Sequence, residues 1–320
     1  MPSSRNVHRI SIFTVARLAL VAVAALLIWP SSAFAGGAWV PGVGDGDIQL
    51  GFSRKTAHTS WDAYGDTIEN TGRFQNHDFR YTYLSGEVGV VKRLSFTFLF
   101  TWLDGLEGPD GDLHRNVGFS DSWLGLKYAL RGGSSPMALK LVVRTPFLYD
   151  ISGPYSLELY DQNGEFLGLS PEWRGLLKHD VTLGFMWSRS IVDYRGWINV
   201  DTGYTWREGA PADQWPIHVD AGVPVLWKGG SGPWSKLRAK ASLDVVFSLG
   251  NDSAREPDDR FGGRASFNFN DASMARVALA FLQPFGKDDR WTVEAGYGIW
   301  VWGESARQYE EPFVSIGRTF

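Results

Sequence analysis

The sequence contains no cysteine among its 320 residues. A chain without thiols has no disulfide, no metal–thiolate centre, no cysteine nucleophile and no lipid-modified cysteine. An excess of basic residues is missing as well, since 31 lysines and arginines stand against 35 acids and give a formal net charge of -4. Nucleic-acid binding needs a positive surface, so we expect no nucleic-acid partner.

Long hydrophobic runs are also missing once the first residues are passed. Beyond residue 35 no stretch of 18 or more residues is apolar, which excludes helical membrane spans. Three arginines (Arg5, Arg9 and Arg17) precede or enter a short apolar run, and Ala33-Phe34-Ala35 follows it. This order predicts a signal peptide over residues 1–35, cleaved to leave a mature chain that starts near Gly36. The alternative, an uncleaved membrane anchor, is disfavoured because the apolar run is short.

Aromatic residues and glycine are abundant, with 15 tryptophans, 20 phenylalanines and 37 glycines, although mean hydropathy is slightly negative. The segment 94–102 places leucine, three phenylalanines and tryptophan at alternate positions, with mostly serine and threonine between them. Successive side chains of a strand point to opposite faces, so one face of this strand is strongly apolar. Apolar residues on one face only are typical of transmembrane barrels. The inner face of a soluble β-sandwich is the alternative.

Twelve segments show this alternation, and together they predict an all-β, antiparallel transmembrane barrel over residues 36–320. The predicted strands lie near 46–58, 77–91, 94–102, 120–131, 136–148, 179–189, 196–207, 215–227, 236–248, 273–285, 290–303 and 311–320. In the second strand the apolar positions change phase after Phe79, Tyr81 and Tyr83, which predicts a bulge at Ser85-Gly86.

The connections alternate in length. Short turns follow the even-numbered strands, whereas the connections 59–76, 104–119, 149–178 and 249–272 are long; 208–214 and 304–310 are intermediate. Short turns on one rim and long loops on the other are the anatomy of an outer-membrane barrel with both termini in the periplasm.

The terminal Phe320 resembles the signal that the barrel assembly machinery reads. Tryptophans near the predicted strand ends indicate interfacial girdles, namely Trp102, Trp187, Trp197, Trp206, Trp227, Trp291, Trp300 and Trp302.

Charged and polar side chains occupy the alternate face and are predicted to line the lumen. They are Lys127, Lys140, Arg144, Asp180, Asp201, His218, Asp220, Arg238, Lys240, Asp244 and Glu294. These residues either create a polar pore with a transverse field or pair with one another and fill a narrow lumen. The long segment near 150–176 is predicted to fold inward as a constriction loop through Tyr155, Tyr160, Phe166 and Trp173.

An enzyme is the weaker reading of these residues. His218 with Asp220, and His179 with Asp180, are histidine–carboxylate pairs, but neither has a recognisable nucleophile partner, and no GxSxG motif is present. No metal-ligand spacing is present, so we expect no metal and no cofactor.

Several short runs resemble a known group of outer-membrane channels, the "meta-pathway of phenol degradation" transporter type, with some likeness to XagA-like proteins. They are Gly37-Ala38-Trp39-Val40-Pro41, Gly44-Asp45-Gly46-Asp47, Phe119 to Tyr128 and Ser315 to Phe320. The resemblance implies a passive channel for small, hydrophobic or aromatic compounds in the outer membrane of a Gram-negative bacterium. It identifies no cargo.

The sequence therefore supports three hypotheses. The first is an outer-membrane channel whose partners are outer-membrane lipid, lipopolysaccharide, the barrel assembly machinery and a small-molecule solute. The second is a structural or surface-interaction barrel with a plugged lumen. The third is a soluble periplasmic β-protein.

Overall fold

The protein is described by a computed structural model, which covers most of the chain after residue 36. The described residues are 37–61, 64–70, 76–108, 114–146, 148, 157–160, 166–170, 179–191, 196–207, 212–226, 233–249, 272–304 and 306–320. The predicted signal peptide, residues 1–35, lies outside them. Within these ranges, no helix is both long enough and apolar enough to cross a membrane.

Twelve strands form one closed antiparallel barrel. They are β1 (Gly46–Trp61), β3 (Asn76–Val91), β4 (Leu94–Gly108), β6 (Ser122–Arg131), β7 (Met137–Thr145), β10 (Asp180–Ile191), β11 (Gly196–Arg207), β12 (Gln214–Pro224), β13 (Arg238–Ser248), β14 (Ser273–Phe285), β15 (Trp291–Glu304) and β16 (Ala306–Thr319). Each pairs with the next, and β16 pairs with β1 from Asp47–Thr319 to Trp61–Ala306. The predicted fold class and strand number are confirmed, and closure excludes two stacked sheets.

Four short strands and two 3-10 turns complete the described structure. They are β2 (Thr67–Glu69), β5 (His114–Phe119), β8 (Leu157–Tyr160), β9 (Phe166–Ser170), Pro233–Lys236 and Lys287–Asp289. β5 continues the line of β6 along β4, with an interruption at Ser120 and Asp121. β8 and β9 pair only with each other within the described chain. Much of the region predicted as loop 104–119 is therefore strand.

The two rims differ as the sequence predicts, with one exception. β3 and β4 are joined by Lys92-Arg93, and the ends of the wall meet on the same rim, where the Gly46 and Phe320 backbones exchange two hydrogen bonds. We call this the short-turn rim and the other the long-loop rim. The predicted connection 304–310 is wrong, because β15 ends at Glu304 and β16 begins at Ala306. The lumen-facing residues Arg307 and Tyr309 were therefore missed.

The outer face of the wall is apolar around the barrel. Its exposed side chains include Ile48, Leu50 and Phe52 on β1, and Leu279, which is 70% exposed, on β14. A continuous exposed apolar band is rare on a soluble protein and is what lipid contact requires. The band therefore identifies the outer face, and the opposite phase of each strand faces the lumen.

The predicted bulge in β3 is wrong. The register between β3 and β4 runs without a shift from Asn76 to Gly89, and the first irregularity lies between Gly89 and Val91. Phe79, Tyr81 and Tyr83 consequently point into the lumen rather than towards lipid. The Tyr83 ring lies against Gly51 on β1, where a Cβ would overlap it. Aromatic character alone misled the phase assignment, since lumen aromatics were read as lipid-facing.

Candidate functional site in the barrel lumen

All eleven predicted lumen residues lie on the inward phase of their strands, and the structure brings most of them into pairs. Lys240 pairs with Glu294, Lys140 with Asp201, and Arg144 with Asp180. Asp180 also lies 3.6 Å from Arg207, which the sequence analysis did not select. Arg238 lies over the ring of Trp197, 5.6 Å from its centroid. Two of the predicted girdle tryptophans, Trp197 and Trp300, are buried in the interior instead.

The N-terminal segment, residues 37–43, crosses the lumen near the short-turn rim. It precedes β1, yet Ala38 N donates to Ser188 Oγ on β10 at 2.8 Å. Gly37 lies so close to Ser188 and to Asn199 on β11 that a Cβ would overlap both side chains. β11 is six places from β1 in the ring of twelve strands, which is the opposite wall. The segment therefore spans the diameter of the barrel.

Lys127 holds this segment in place. Its ammonium donates to the carbonyl oxygens of Gly37 at 2.9 Å and Trp39 at 2.8 Å, and to Glu87 Oε2 at 2.5 Å. Ser95 Oγ donates to the other oxygen of Glu87. Lys127 is 3% exposed, and a buried charge requires such partners. With the predicted bulge, Val88 is on the lipid phase and Glu87 therefore on the lumen phase, but Glu87 was not among the residues selected from the sequence.

A belt of alternating charges runs from β12 to β16. His218 lies between two carboxylates, with Nδ1 2.5 Å from Asp244 Oδ1 and Nε2 3.3 Å from Asp220 Oδ2. Arg276 on β14 donates to Asp244 Oδ2 at 2.8 Å and lies 2.9 Å from Glu311 Oε2 on β16. Both ring nitrogens of His218 face carboxylates, so neither is directed at a hydroxyl nucleophile. In the part of the chain described, no group of three or more histidine and carboxylate side chains is arranged to hold a metal ion.

Two glycines let cations reach past a neighbouring strand. The Lys140 side chain crosses Gly184 of β10 to meet Asp201 of β11. Arg276 likewise crosses Gly298 of β15 to meet Glu311 of β16. A side chain at either glycine would occupy the path of the cation. These glycines therefore allow ion pairs between strands that are not hydrogen bonded to each other.

A cavity of about 640 Å³ occupies the lumen towards the long-loop rim. One wall is aromatic or aliphatic and comes from β3, β4 and β6; it contains Phe79, Tyr81, Tyr83, Leu99, Leu103 and Trp123. The facing charged side chains are Lys55 on β1, Arg144 on β7, and Arg307 and Glu311 on β16, with Asp121 at the β5–β6 interruption. The volume lies within the range of small-molecule sites, which combine an apolar lining with few polar groups.

The constriction loop remains a prediction. Tyr155 and Trp173 lie outside the described residues, whereas Tyr160 and Phe166 are paired in the β8–β9 hairpin. Phe320, the predicted assembly signal, follows β16 at the short-turn rim, and its side chain is half exposed.

Solved structures resemble the barrel to different degrees. An outer-membrane channel from Pseudomonas putida F1 superposes with a TM-score of 0.60 at 13% identity, over 90% of this chain and 100% of that chain. The β domain of the Bordetella autotransporter BrkA gives 0.44 at 10% identity, over 87% and 100%. The NanC porin gives 0.43 at 7% identity, over 86% and 100%. No protein-family model and no curated protein sequence matches the chain. The likeness to the Pseudomonas putida channel shows the fold, that of an outer-membrane barrel.

Proposed function

We propose that the protein is a passive channel for small hydrophobic or aromatic solutes in the outer membrane of a Gram-negative bacterium. The observation that carries this proposal is the cavity of about 640 Å³ inside the closed barrel, with its aromatic wall from β3, β4 and β6. An aromatic wall binds apolar solutes by removing their surface from water. The apolar outer band and the fold support placement in the outer membrane.

The cavity and the N-terminal segment occupy successive levels of the lumen. A solute that enters from the long-loop rim meets the cavity first, and it meets residues 37–43 towards the short-turn rim. Passage along the barrel axis therefore requires this segment to leave its seat on Lys127 and Ser188. Three hydrogen bonds to backbone atoms of the segment hold it there. The bond from Ala38 contributes about 1 kcal/mol net and the two from the charged Lys127 ammonium about 1.5–3 kcal/mol each, so the segment leaves its seat only in a small fraction of molecules at any time.

Planar-bilayer recording tests the proposal. The purified protein should give discrete conductance steps, and adding a neutral aromatic solute such as phenol should reduce the current by occupying the cavity. Replacing Trp123 by alanine should weaken this block while conductance persists. Leu139→Ala, on the lipid face, is the matched control and should leave the block unchanged.

An absence of conductance steps in the folded protein would overturn the channel and favour a plugged barrel with a structural or surface-interaction role. Lipopolysaccharide contact and delivery by the barrel assembly machinery belong to the same proposal. Removing Phe320 should reduce the amount of folded protein in the outer membrane, read from heat-modifiable mobility on gels.

A further inference from the structure

Lys55 is a cation of the cavity wall that has no carboxylate within hydrogen-bond distance in the described part of the chain. Its Nζ lies 5.0 Å from the centroid of the Tyr81 ring and 5.2 Å from that of Trp300. Within the described part of the chain its nearest carboxylate oxygen is Glu311 Oε1, at 3.9 Å. This distance exceeds hydrogen-bond length. Aromatic faces stabilise the positive charge but leave three N–H donors without a close anionic acceptor.

The carboxylates around the cavity are held more closely by arginines. Glu311 Oε2 lies 2.9 Å from Arg276, so Lys55 shares a carboxylate that is already engaged. Asp121 lies 3.6 Å from Arg144 on the opposite side. The side chains that line the cavity include three cations, Lys55, Arg144 and Arg307, and these two carboxylates. Arg144 is also paired with Asp180, so the excess of positive charge comes from Lys55 and Arg307. The cavity therefore complements an anion better than a cation.

The neighbourhood of Lys55 is also shaped for a ring. Tyr81 stacks on Phe79 with centroids 6.3 Å apart, and Phe79 packs on the His77 ring at 4.0 Å. An apolar ring placed on this wall would bring a carboxylate attached to it within reach of the Lys55 ammonium. A ligand with both a ring and a carboxylate can contact the aromatic wall and Lys55 at the same time. A neutral aromatic compound or a simple inorganic anion can contact only one of them.

We infer that the cavity is a binding site for small aromatic carboxylates, with the ring on the β3 wall and the carboxylate on Lys55. The inference rests on the proposed function and deepens it, because it names the class of solute. A charge-assisted hydrogen bond to the Lys55 ammonium distinguishes the carboxylate from an alcohol of the same size. Lys55 is thus the residue that determines specificity.

Calorimetric titration of the purified protein in detergent micelles with benzoate and with benzyl alcohol tests this assignment. The wild type should bind benzoate more tightly. Lys55→Met, which keeps the length of the side chain, should weaken benzoate by about tenfold or more and leave benzyl alcohol unchanged. Lys55→Arg should retain benzoate binding. Lys236→Met is the control, because Lys236 is an exposed lysine outside the strands that pairs with Asp289, and it should bind benzoate as the wild type does.

Equal affinity of the wild type for the two compounds, or unchanged benzoate binding in a folded Lys55→Met protein, overturns the inference. Should Lys55→Met fail to fold, the wild-type preference decides alone. Binding is measured here without transport, so the two proposals fail separately. A protein that binds benzoate through Lys55 but shows no conductance keeps the site and loses the channel; one that conducts but does not distinguish the two compounds loses only the site.

Discussion

The two halves of the lumen have the same strand alternation but opposite contents. Towards the short-turn rim, the N-terminal segment and the pair of Lys127 with Glu87 fill the space, and Lys127 is 3% exposed. Towards the long-loop rim, a cavity of about 640 Å³ remains between an aromatic wall and Lys55. Alternation thus decides which side chains face inward, whereas the segment and the reach of the inward side chains decide which half is filled.

Deleting residues 37–43 should have the largest effect on the difference between the two halves of the lumen, because it removes the segment that fills the half near the short-turn rim. We expect single-channel conductance to rise several-fold, with the barrel still closed through the pairing of β1 with β16. Planar-bilayer recording measures the rise, and heat-modifiable mobility verifies the fold. Unchanged conductance in the folded deletion protein would show that the segment is not the principal obstruction.

Lys127→Met should weaken the attachment of the N-terminal segment to the wall. Conductance should rise, but less than in the deletion protein. The substitution leaves Glu87 buried without its cation, which costs about 3 kcal/mol of unfolding free energy. Adding Glu87→Gln should restore much of that stability but not the seal, because the bonds to the Gly37 and Trp39 carbonyls are still missing. Denaturant unfolding and conductance, compared in the two variants, separate these effects. Full recovery of the seal in the double variant would contradict the role given to Lys127.

Gly298→Ala tests the half of the lumen that contains the cavity, because it disturbs the pair of Arg276 with Glu311. A Cβ there would lie 2.7 Å from Arg276 Nε, so Arg276 should be displaced from Glu311. Overpacking of this kind costs about 1 kcal/mol. Glu311 should then turn to Lys55, and benzoate affinity should fall a few-fold. Gly132→Ala, where no atom lies within 4 Å of the added Cβ, is the control in both thermal unfolding and calorimetry; equal effects of the two changes would contradict the argument.

Asp213, outside the strands at the long-loop rim, should give the smallest effect. The Tyr204 hydroxyl donates to it at 2.5 Å and Arg207 N at 2.9 Å, and these bonds lower the pKa of its carboxyl below the ordinary value of 3.8. The stabilisation is therefore present at neutral pH and is lost as the pH falls below that value. Asp213→Asn should unfold slightly more easily than the wild type at pH 7 and equally at pH 2. A difference between the proteins that persists at pH 2 would contradict this origin.

Much of the barrel follows from the sequence because period-2 alternation is a local property. It located β11 and β14 to the residue, at 196–207 and 273–285. Residues whose role depends on distant partners were harder to recognise. The phase of the first half of β3 was misread because its aromatic side chains, which form the cavity wall, were assigned to the lipid face. Arg276 and Glu311 were also missed. Their pairing depends on Gly298 of the strand between them, and no local sequence pattern reveals such a contact.

The seat of the N-terminal segment also restricts how the barrel is assembled. Gly37 lies at the far wall of the lumen, and Ala38 is completely buried. β16 pairs with β1 along the strand that follows the segment. Once these two strands have paired, the segment can enter or leave the lumen only along the barrel axis.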